Sequence, residues 1–264
     1  MKIAIIGTGN LGYSIAIGIL TQKKFKCKSL YLTKRNTASL SAWEKLPNVK
    51  ISTDNKKAVH YSNVIIIAVQ PKQLPQVLEE IKQVANPKKH IIISVVTGRK
   101  IHELATVLGA DFPIIRSMPN TAISVGKSMT CLSANEKGKE AIKLAKIIFN
   151  SLGKTLCIEE KLMQSATVIC ASGIAFWMRL IRATAQGAVQ LGFHAEEAQE
   201  LAMQTCLGAA SLLIQSGNHP EQEIDKVTTP SGCTIEGLNE MEHQGLSSSI
   251  IKGLVTSFEK INQI

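Results

Sequence analysis

Three glycines near the start of the chain constrain its fold more than any other feature. Gly7, Gly9 and Gly12 come directly after an apolar run at Ile3–Ile6, and apolar residues at helical spacing come next. A second apolar run follows at Ser29–Leu32. This order predicts a strand, a glycine turn, a helix and a second strand.

The glycine turn has the spacing and the context of a dinucleotide-binding fingerprint, because it follows a strand, opens a helix and lies in a unit of about 30 residues. Gly7 would allow the tight turn, Gly9 would let the backbone approach a pyrophosphate, and Gly12 would let helix and strand pack closely. The pyrophosphate would bind the N–H groups at the helix start. The predicted cofactor contacts here are Gly7, Thr8, Gly9, Asn10, Leu11 and Gly12. A chance glycine loop is the less favoured alternative.

The end of the second strand predicts which dinucleotide binds. An NAD site would usually place Asp or Glu there to hold the ribose 2′-OH, but the sequence reads Thr33-Lys34-Arg35-Asn36. Lys34 and Arg35 offer a cation and a guanidinium fork to a 2′-phosphate. We therefore predict NADPH, with NADH as a possible second cofactor, and include Asn36 in the site. Two solvated charges are the alternative, since Lys and Arg are ordinary surface residues.

Composition and charge argue against two other classes of protein. The 264 residues are 45% hydrophobic and 19% charged, as in a soluble globular protein. Aromatic residues are only 4% and no basic face is visible, so we expect no nucleic-acid partner. We interpret the net charge of +10 as a field that attracts an anionic cofactor and substrate. No apolar run approaches the roughly 20 residues that span a bilayer, so we expect no membrane partner.

The six cysteines show neither a CxxC motif nor paired spacing, and most lie inside apolar runs. This pattern is typical of reduced core residues in a cytoplasmic protein. We therefore expect a cytoplasmic location, and we expect no metal site.

Helix and strand patterns alternate along the first part of the chain, which predicts an α/β fold with an N-terminal, Rossmann-type doubly wound sheet over residues 1–157. One of its predicted helices is Thr37–Leu46, with Asn36 as a cap. Two strands end in polar turns, at Gln70–Gln73 and at Met118–Thr121. Both turns are candidate cofactor contacts, because such sheets bind ligands at the carboxyl ends of their strands. For the second turn, turn chemistry alone is an alternative.

Residues 158–264 show no further strand pattern and predict an all-helical dimerisation domain. Met163–Leu191 is interpreted as one long, almost uncharged helix, which must be buried on all sides. A second such helix is predicted at Ala195–Gly217. A domain of this kind has more apolar helix surface than it can cover alone, so we expect a homodimer through these helices.

A late segment, Val227–Leu238, has the residues of a small-molecule site. Hydroxyl residues and a glycine lead directly into an amphipathic helix, whose first N–H groups would be free to bind a carboxylate. A plain helix cap, with Ser231 or Thr234 satisfying those N–H groups, is the alternative.

Four segments together resemble pyrroline-5-carboxylate reductase, which makes proline by reducing a cyclic imine with NAD(P)H. They are Gly7–Gly12, Ala68–Pro71, Arg116–Thr121 and Val227–Thr234, of which the last is the most specific. The resemblance covers nearly the whole chain. It implies an imine reductase that uses NADPH to convert 1-pyrroline-5-carboxylate into proline, the last step of proline biosynthesis.

The resemblance also implies roles for individual residues. In that family the late loop binds the substrate carboxylate through backbone N–H groups, here those of Ser231, Gly232 and Cys233, and we add Thr229 to the substrate site. Thr234 matches a threonine that hydrogen-bonds the ring nitrogen, and it is the predicted catalytic residue. The turns that border the cofactor imply contacts at Ala68, Val69, Gln70, Pro71, Met118, Pro119 and Asn120. Family members of this kind are interlocked dimers, frequently assembled into decamers.

Three residues differ from the family pattern. Gln70 replaces a lysine, Ser231 replaces a glycine of the late loop, and Ile174 replaces a proline on the long helix. Because proline disturbs a helix, we expect Ile174 to straighten it and to reshape the pocket wall.

Two other functions fit the same two-domain plan. A β-hydroxyacid-type NADP dehydrogenase would need a group that takes the alcohol proton. That family places a lysine on the long helix, where this chain has Phe176-Trp177-Met178-Arg179. The other alternative is a non-catalytic NADP-binding homologue, because fold alone does not establish turnover.

Overall fold

The apolar runs of the first part of the chain form one sheet. The computed structural model of the protein describes residues 1–23 and 25–261. The strands are β1 (Lys2–Ile6), β2 (Ser29–Thr33), β3 (Val49–Ser52), β4 (Val64–Ile67), β5 (Ile91–Ser94), β6 (Ile114–Met118), β7 (Ser128–Ala134) and β8 (Gly153–Cys157). Within the described chain their order is β3-β2-β1-β4-β5-β6-β7-β8. All neighbours are parallel except β6 and β7, so the predicted doubly wound sheet is confirmed.

Helices cover both faces of this sheet, and strand residues alternate between two apolar cores. The helices are α1 (Asn10–Thr21), α2 (Asn55–His60), α3 (Leu74–Lys82), α4 (Ile101–Leu108) and α5 (Ile142–Asn150). Ile5 of β1 packs in one core with Ile15 of α1 and Phe149 of α5. The next residue, Ile6, packs in the other core with Leu78 of α3.

The strand order reverses at β1, which has β2 on one side and β4 on the other. The pairing of Ile6 with Ile67 brings the ends of β1 and β4 side by side. Loops that leave a parallel sheet at such a point diverge to opposite faces and leave a crevice between them. The crevice therefore lies between the glycine turn and the turn that contains Gln70.

An ion pair between a buried arginine and a half-buried glutamate stabilises this sheet next to the start of the helical part of the chain. Arg116 on β6 is only 2% exposed, and its Nη1 lies 3.4 Å from Oε1 of Glu160. The same carboxylate oxygen accepts a hydrogen bond from the N–H of Ile101 at 2.7 Å. Burial lowers the pKa of the Arg116 guanidinium, and the charge of Glu160 opposes this shift. Glu160 is thus the acidic partner of an interior cation.

One predicted helix of the first part has a different geometry. Residues Ala38–Lys45 form a 3₁₀ helix instead of the expected α-helix over Thr37–Leu46. Asn36 does act at its start, because its Oδ1 accepts a hydrogen bond from the N–H of Ala38 at 3.0 Å. Leu40 is the buried residue of this segment, so little packing energy favours the wider α-helical turn.

The expected single helix over Met163–Leu191 is interrupted. It consists of α6 (Met163–Ala166), a π-helical segment at Thr167–Ser172, and α7 (Gly173–Gln190). The side chain of Asn120 donates to the carbonyl oxygen of Cys170 at 2.8 Å. A side chain that enters the helical hydrogen-bond ladder is a known cause of such irregularity. The irregular turn ends just before Ile174, and the expectation that Ile174 straightens the helix stays a prediction.

The second part of the chain is all-helical, as predicted. Residues Met1–Ser172 lie in one compact unit, whereas Gly173–Glu259 form a second. The predicted domain boundary after residue 157 stays a prediction. Beyond α7, the helices are α8 (Ala195–Ser216), α9 (Pro220–Val227), α10 (Cys233–His243) and α11 (Leu246–Ile261). Contacts between α7 and α8 bury Ala185, Ala198 and Ala202.

Large apolar side chains of the second unit lie exposed. They include Trp177, Met178, Leu191, Leu207, Leu212, Ile214, Ile251 and Val255. The stretch Glu160–Gln190 is long and apolar enough to cross a membrane, with a mean hydropathy of 1.3, although only 22% of that window is buried. Two expectations are corrected here: this apolar stretch does reach the length that spans a bilayer, and in the single chain the helix is not buried on all sides.

The Arg116–Glu160 pair leads to a prediction about stability. Glu160→Ala should lower the free energy of unfolding by about 3 kcal/mol, because it leaves a buried guanidinium without its carboxylate. Urea unfolding followed by circular dichroism measures this difference. Glu159→Ala is the matched control, since Glu159 pairs with Lys161 at the surface and should contribute less than about 1 kcal/mol. The double variant Arg116→Met/Glu160→Ala should recover much of the loss, and no recovery would contradict this account.

Candidate functional site

A cleft of about 480 Å³ lies at the carboxyl ends of β1, β2 and β4. Its lining includes many of the predicted cofactor contacts: Gly7, Thr8, Gly9, Lys34, Arg35, Asn36, Ala68, Val69 and Gln70. The structure therefore brings together three stretches that lie far apart in the sequence. Asn10, Leu11, Gly12 and Pro71 are not part of this lining, but they follow it directly in α1 and after β4.

The glycines of the first turn have the geometry expected of them. Gly7 has φ of +92°, and a Cβ there would come within 2.6 Å of the Val69 side chain. A Cβ at Gly12 would meet the carbonyl group of Gly7, so this glycine lets α1 start against the turn. No atom lies within 4 Å of the position of a Cβ at Gly9. Open space beside its backbone is what a close pyrophosphate requires.

The start of α1 has the free donors of an anion site. Gly9 is its N-cap, no side chain caps the helix, and the first turn has no acidic residue. The first N–H groups of a helix have no partner within the helix, and the helix dipole adds positive potential at this end. The residues present thus fit the pyrophosphate of a dinucleotide.

The end of β2 provides the positive charge. Lys34 is half-buried, whereas Arg35 and Asn36 are exposed. The Nζ of Lys34 donates to Oγ of Ser39 at 2.7 Å. An ammonium group has three donors, so Lys34 can hold Ser39 and still meet a phosphate. This side of the cleft fits the 2′-phosphate of NADP(H).

Sequence reasoning missed several residues of the cleft lining: Ile6, Thr33, Thr53, Asn55, Gln73, Gln76, Val77 and Glu80. Three of them form a hydrogen-bonded chain. Oγ1 of Thr33 and Oδ1 of Asn55 are 2.6 Å apart, and Nδ2 of Asn55 donates to Oε2 of Glu80 at 2.9 Å. The convergence of strand ends was the available signal, because Asn55 comes shortly after β3.

The Met118-Pro119-Asn120 turn does not line this cleft. Asn120 is 6% exposed. Its Oδ1 accepts from the N–H of Ala122 at 3.0 Å, while its Nδ2 donates to Cys170. Turn chemistry, the alternative left open by the sequence, thus accounts for the first bond, whereas the second is a tertiary contact to the π-helical segment. The cofactor contacts at Met118, Pro119 and Asn120 stay predictions.

The late loop of the second unit starts helix α10 without a side-chain cap. Gly232 is the N-cap and no side-chain cap bond forms, so the cap interpretation for Ser231 or Thr234 does not describe this helix start. A Cβ at Gly232 would collide with the side chain of Thr229. Within the described residues, no hydrogen bond of the Thr234 hydroxyl is found. The helix start therefore keeps its donors for a ligand.

Two details of this loop refine the expected carboxylate site. The N–H of Gly232 donates to the carbonyl oxygen of Thr229 at 2.9 Å. Of the three predicted donors, Ser231 and Cys233 are therefore the better placed, and their roles stay predictions. Ser231 has φ of +59°, a left-handed conformation that favours glycine. This explains why the related family has a glycine where this chain has Ser231.

Comparison with family models divides the chain in a similar way. A model described as pyrroline-5-carboxylate reductase dimerisation matches residues 160–264. A model described as NADP oxidoreductase, coenzyme F420-dependent, matches residues 2–98. The described cofactor cleft lies within the second match, and the late loop lies within the first.

Individual proteins extend these matches over the full chain. Pyrroline-5-carboxylate reductase 2 of Dictyostelium discoideum is 44% identical over 275 residues, which cover 98% of this chain and 91% of that protein. Pyrroline-5-carboxylate reductase 1 of the same organism is 47% identical over 270 residues. Those residues cover 98% of this chain, but the chain spans only 49% of that relative's length.

Solved structures agree in fold. The pyrroline-5-carboxylate reductase of Coxiella burnetii has a TM-score of 0.90 at 28% identity, over 99% of this chain and 97% of that one. The Plasmodium falciparum pyrroline carboxylate reductase, solved with NADP bound, has a TM-score of 0.88 at 25% identity, over 100% of this chain and 97% of that one. In this chain, the cleft lining with Lys34 and Arg35 at the end of β2 has the charge that a 2′-phosphate requires.

The cation at the end of β2 leads to a prediction about cofactor choice. Arg35→Ala should lower kcat/KM roughly ten- to a hundredfold with NADPH and much less with NADH, because a hydrogen bond to a charged group contributes about 1.5–3 kcal/mol. Steady-state kinetics with both cofactors measure this. Lys45→Ala, an exposed charge outside the cleft, is the control and should change neither value. Equal losses with both cofactors for Arg35→Ala would contradict the assignment.

Proposed function

The chain belongs to the pyrroline-5-carboxylate reductase family, and we propose that it reduces 1-pyrroline-5-carboxylate to proline with NADPH as the hydride donor. The observation that carries this function is the uncapped start of α10, where Gly232 leaves free donors beside the Thr234 hydroxyl. A small cyclic imino acid has one carboxylate and one ring nitrogen, which are the two groups such a loop can recognise.

The chain's own residues have few chemical tasks in this reaction. NADPH, when bound in the cleft of the first unit, supplies the hydride that forms the new C–H bond at the imine carbon. The C=N π electrons move to the ring nitrogen, which keeps its proton and becomes the amine of proline. A protonated imine is already an electrophile, so no general base is needed.

Substrate orientation is the task we assign to the late loop. The N–H groups of Ser231 and Cys233 hold the carboxylate, with Thr229 and Gly232 shaping the turn beside them. The oxygen of the Thr234 hydroxyl accepts a hydrogen bond from the protonated ring nitrogen and fixes which face of the ring is presented. Holding the reacting atoms in one geometry lowers the barrier without acid–base chemistry.

Assembly is the second part of the proposal. The chain carries a dimerisation domain, and we propose that two copies pair through their second units. The exposed apolar side chains support this, since Trp177 and Met178 are 61% and 62% exposed in the single chain. A second copy would also cover the apolar stretch Glu160–Gln190. Assembly of such dimers into a decamer is a further proposal.

A cytoplasmic location is also part of the proposal. All six cysteines are free thiols, and a reducing compartment keeps thiols in that state. We also propose that the chain has no nucleic-acid or membrane partner, because the proposed reaction of a small molecule with NADPH requires neither.

Thr234 provides the test of the catalytic proposal. Wild-type protein should oxidise NADPH when 1-pyrroline-5-carboxylate is added, and absence of turnover would contradict the function. Thr234→Ala should lower kcat/KM for the imine by about tenfold to a hundredfold. This is at or below the low end of the 10²–10³ found where a hydrogen bond stabilises developing charge, because the bond from the protonated nitrogen to Thr234 weakens as the charge on that nitrogen falls. Thr234→Ser should retain most activity, and NADPH affinity should not change in either variant.

The control for this test is Thr228→Ala in the same loop. The Thr228 hydroxyl donates to the carbonyl oxygen of Asp225 at 3.2 Å and has no predicted substrate contact. If Thr234→Ala turned over normally but melted several degrees lower, its role would be structural.

Sedimentation tests the assembly. The full chain at micromolar concentration should sediment at dimer size or above, since burial of the exposed apolar surface favours association. A chain truncated after Ile158 lacks the dimerisation domain and should sediment as a monomer. A monomeric full-length protein would refute the proposed dimer.

A further inference from the structure

The cofactor cleft contains an acidic residue that no motif identified. Among the described residues that line it, Glu80 of α3 is the one with a carboxylate, while Lys34 and Arg35 carry positive charge. Glu80 is half-buried. A carboxylate in a cleft suited to a 2′-phosphate is unexpected, because its negative charge repels the negative charge of the phosphate.

Glu80 is connected to the end of β2 by one asparagine. Its Oε2 accepts from Nδ2 of Asn55 at 2.9 Å, and Oδ1 of Asn55 lies 2.6 Å from the hydroxyl of Thr33. A carboxylate can only accept hydrogen bonds, so the NH₂ of Asn55 must face Glu80 and its carbonyl must face Thr33. The hydroxyl of Thr33 is then the donor to Asn55. The charge on Glu80 thus fixes the direction of the whole chain of bonds.

The position of this chain of bonds matters for cofactor choice. Thr33 is the last residue of β2 and directly precedes Lys34 and Arg35. An NAD site usually has an acid at this strand end, where it holds the ribose 2′-OH. Here the acid comes from α3 and is linked to the same place by the side chain of Asn55.

We propose that Glu80 is a specificity-determining residue that moderates the preference of this cleft for NADPH over NADH. Its negative charge weakens the net attraction of Lys34 and Arg35 for a 2′-phosphate. Two hydrogen bonds of 2.9 and 2.6 Å, joined by the amide group of Asn55, connect the carboxylate to the Thr33 hydroxyl. This separation is within the screening length of about 8 Å in physiological salt, so the charge of Glu80 is weakened by salt but still acts on a phosphate bound there. A nucleotide with an uncharged 2′-OH, such as NADH, is not repelled by Glu80 in this way. The inference rests on the cofactor site of the proposed function.

Binding of cofactor fragments tests this independently of turnover. Adenosine 2′,5′-bisphosphate and AMP differ only in the 2′-phosphate, and calorimetry gives the Kd of each. Glu80→Gln removes the charge but keeps an oxygen that can accept from Asn55. It should raise the ratio of the AMP Kd to the bisphosphate Kd about twofold, as expected for loss of one charge near a phosphate of about two charges in physiological salt. The same shift should appear as a higher NADPH-to-NADH ratio of kcat/KM.

Glu79→Gln is the matched control. Glu79 precedes Glu80 on α3, is exposed and does not line the cleft, yet the change of net charge is the same. The control should leave the ratio unchanged. An unchanged ratio in Glu80→Gln, or an equal shift in Glu79→Gln, would overturn the proposal.

Glu80→Ala separates this role from simple support of Asn55. A purely structural Glu80 would give equal loss of both nucleotides in Glu80→Ala and no change of ratio in Glu80→Gln, and that outcome overturns the proposal. If wild-type protein bound neither fragment and neither cofactor, the cofactor site itself would be refuted. That failure is distinct, because it does not depend on any variant.

Discussion

The close packing of α1 against the first turn is the constraint on which the cofactor site depends. The start of α1 can meet the Gly7 carbonyl only because Gly12 has no side chain, and the turn itself requires the positive φ of Gly7. Any Cβ at these two positions would push the helix away from the sheet. The free N–H groups of α1 would then leave the cleft, and the pyrophosphate would lose its donors even though Lys34 still offered its charge to the 2′-phosphate.

The second unit has a different dependence, because its helices lack enough surface to cover one another. Contacts between α7 and α8 bury small residues such as Ala185 and Ala198, which bring the backbones close but remove little apolar area from water. The larger side chains, Trp177 among them, remain outside. Formation of the proposed dimer therefore contributes directly to the stability of this unit, which depends on the protein concentration.

Much of the fold could be predicted from the sequence, since continuous apolar runs mark the strands and the glycine spacing marks the turn. The residues of the cofactor site fall into two groups, those that a local motif predicts and those that only tertiary packing brings to the cleft. Gly7 and Lys34 follow from local motifs, whereas Asn55 and Glu80 belong to no motif and reach the cleft only through packing of α2 and α3. The π-helical segment could not be predicted either, because a side chain from another turn, that of Asn120, bonds into the helix. Local patterns predict elements, but contacts distant in sequence need the tertiary structure.

Ser231 affects the free energy of folding in two ways, through backbone strain in the folded loop and through the conformational entropy of the unfolded chain. A left-handed conformation costs an L-residue about 1–2 kcal/mol, which a glycine would avoid. A glycine would, however, leave the unfolded chain with more accessible conformations to lose, at a cost of about 0.5–1 kcal/mol. These two contributions have opposite signs, and the strain is the larger. Serine at this position therefore adds strain to the folded loop and reduces the conformational freedom of the unfolded chain, so that the second effect offsets about half of the first.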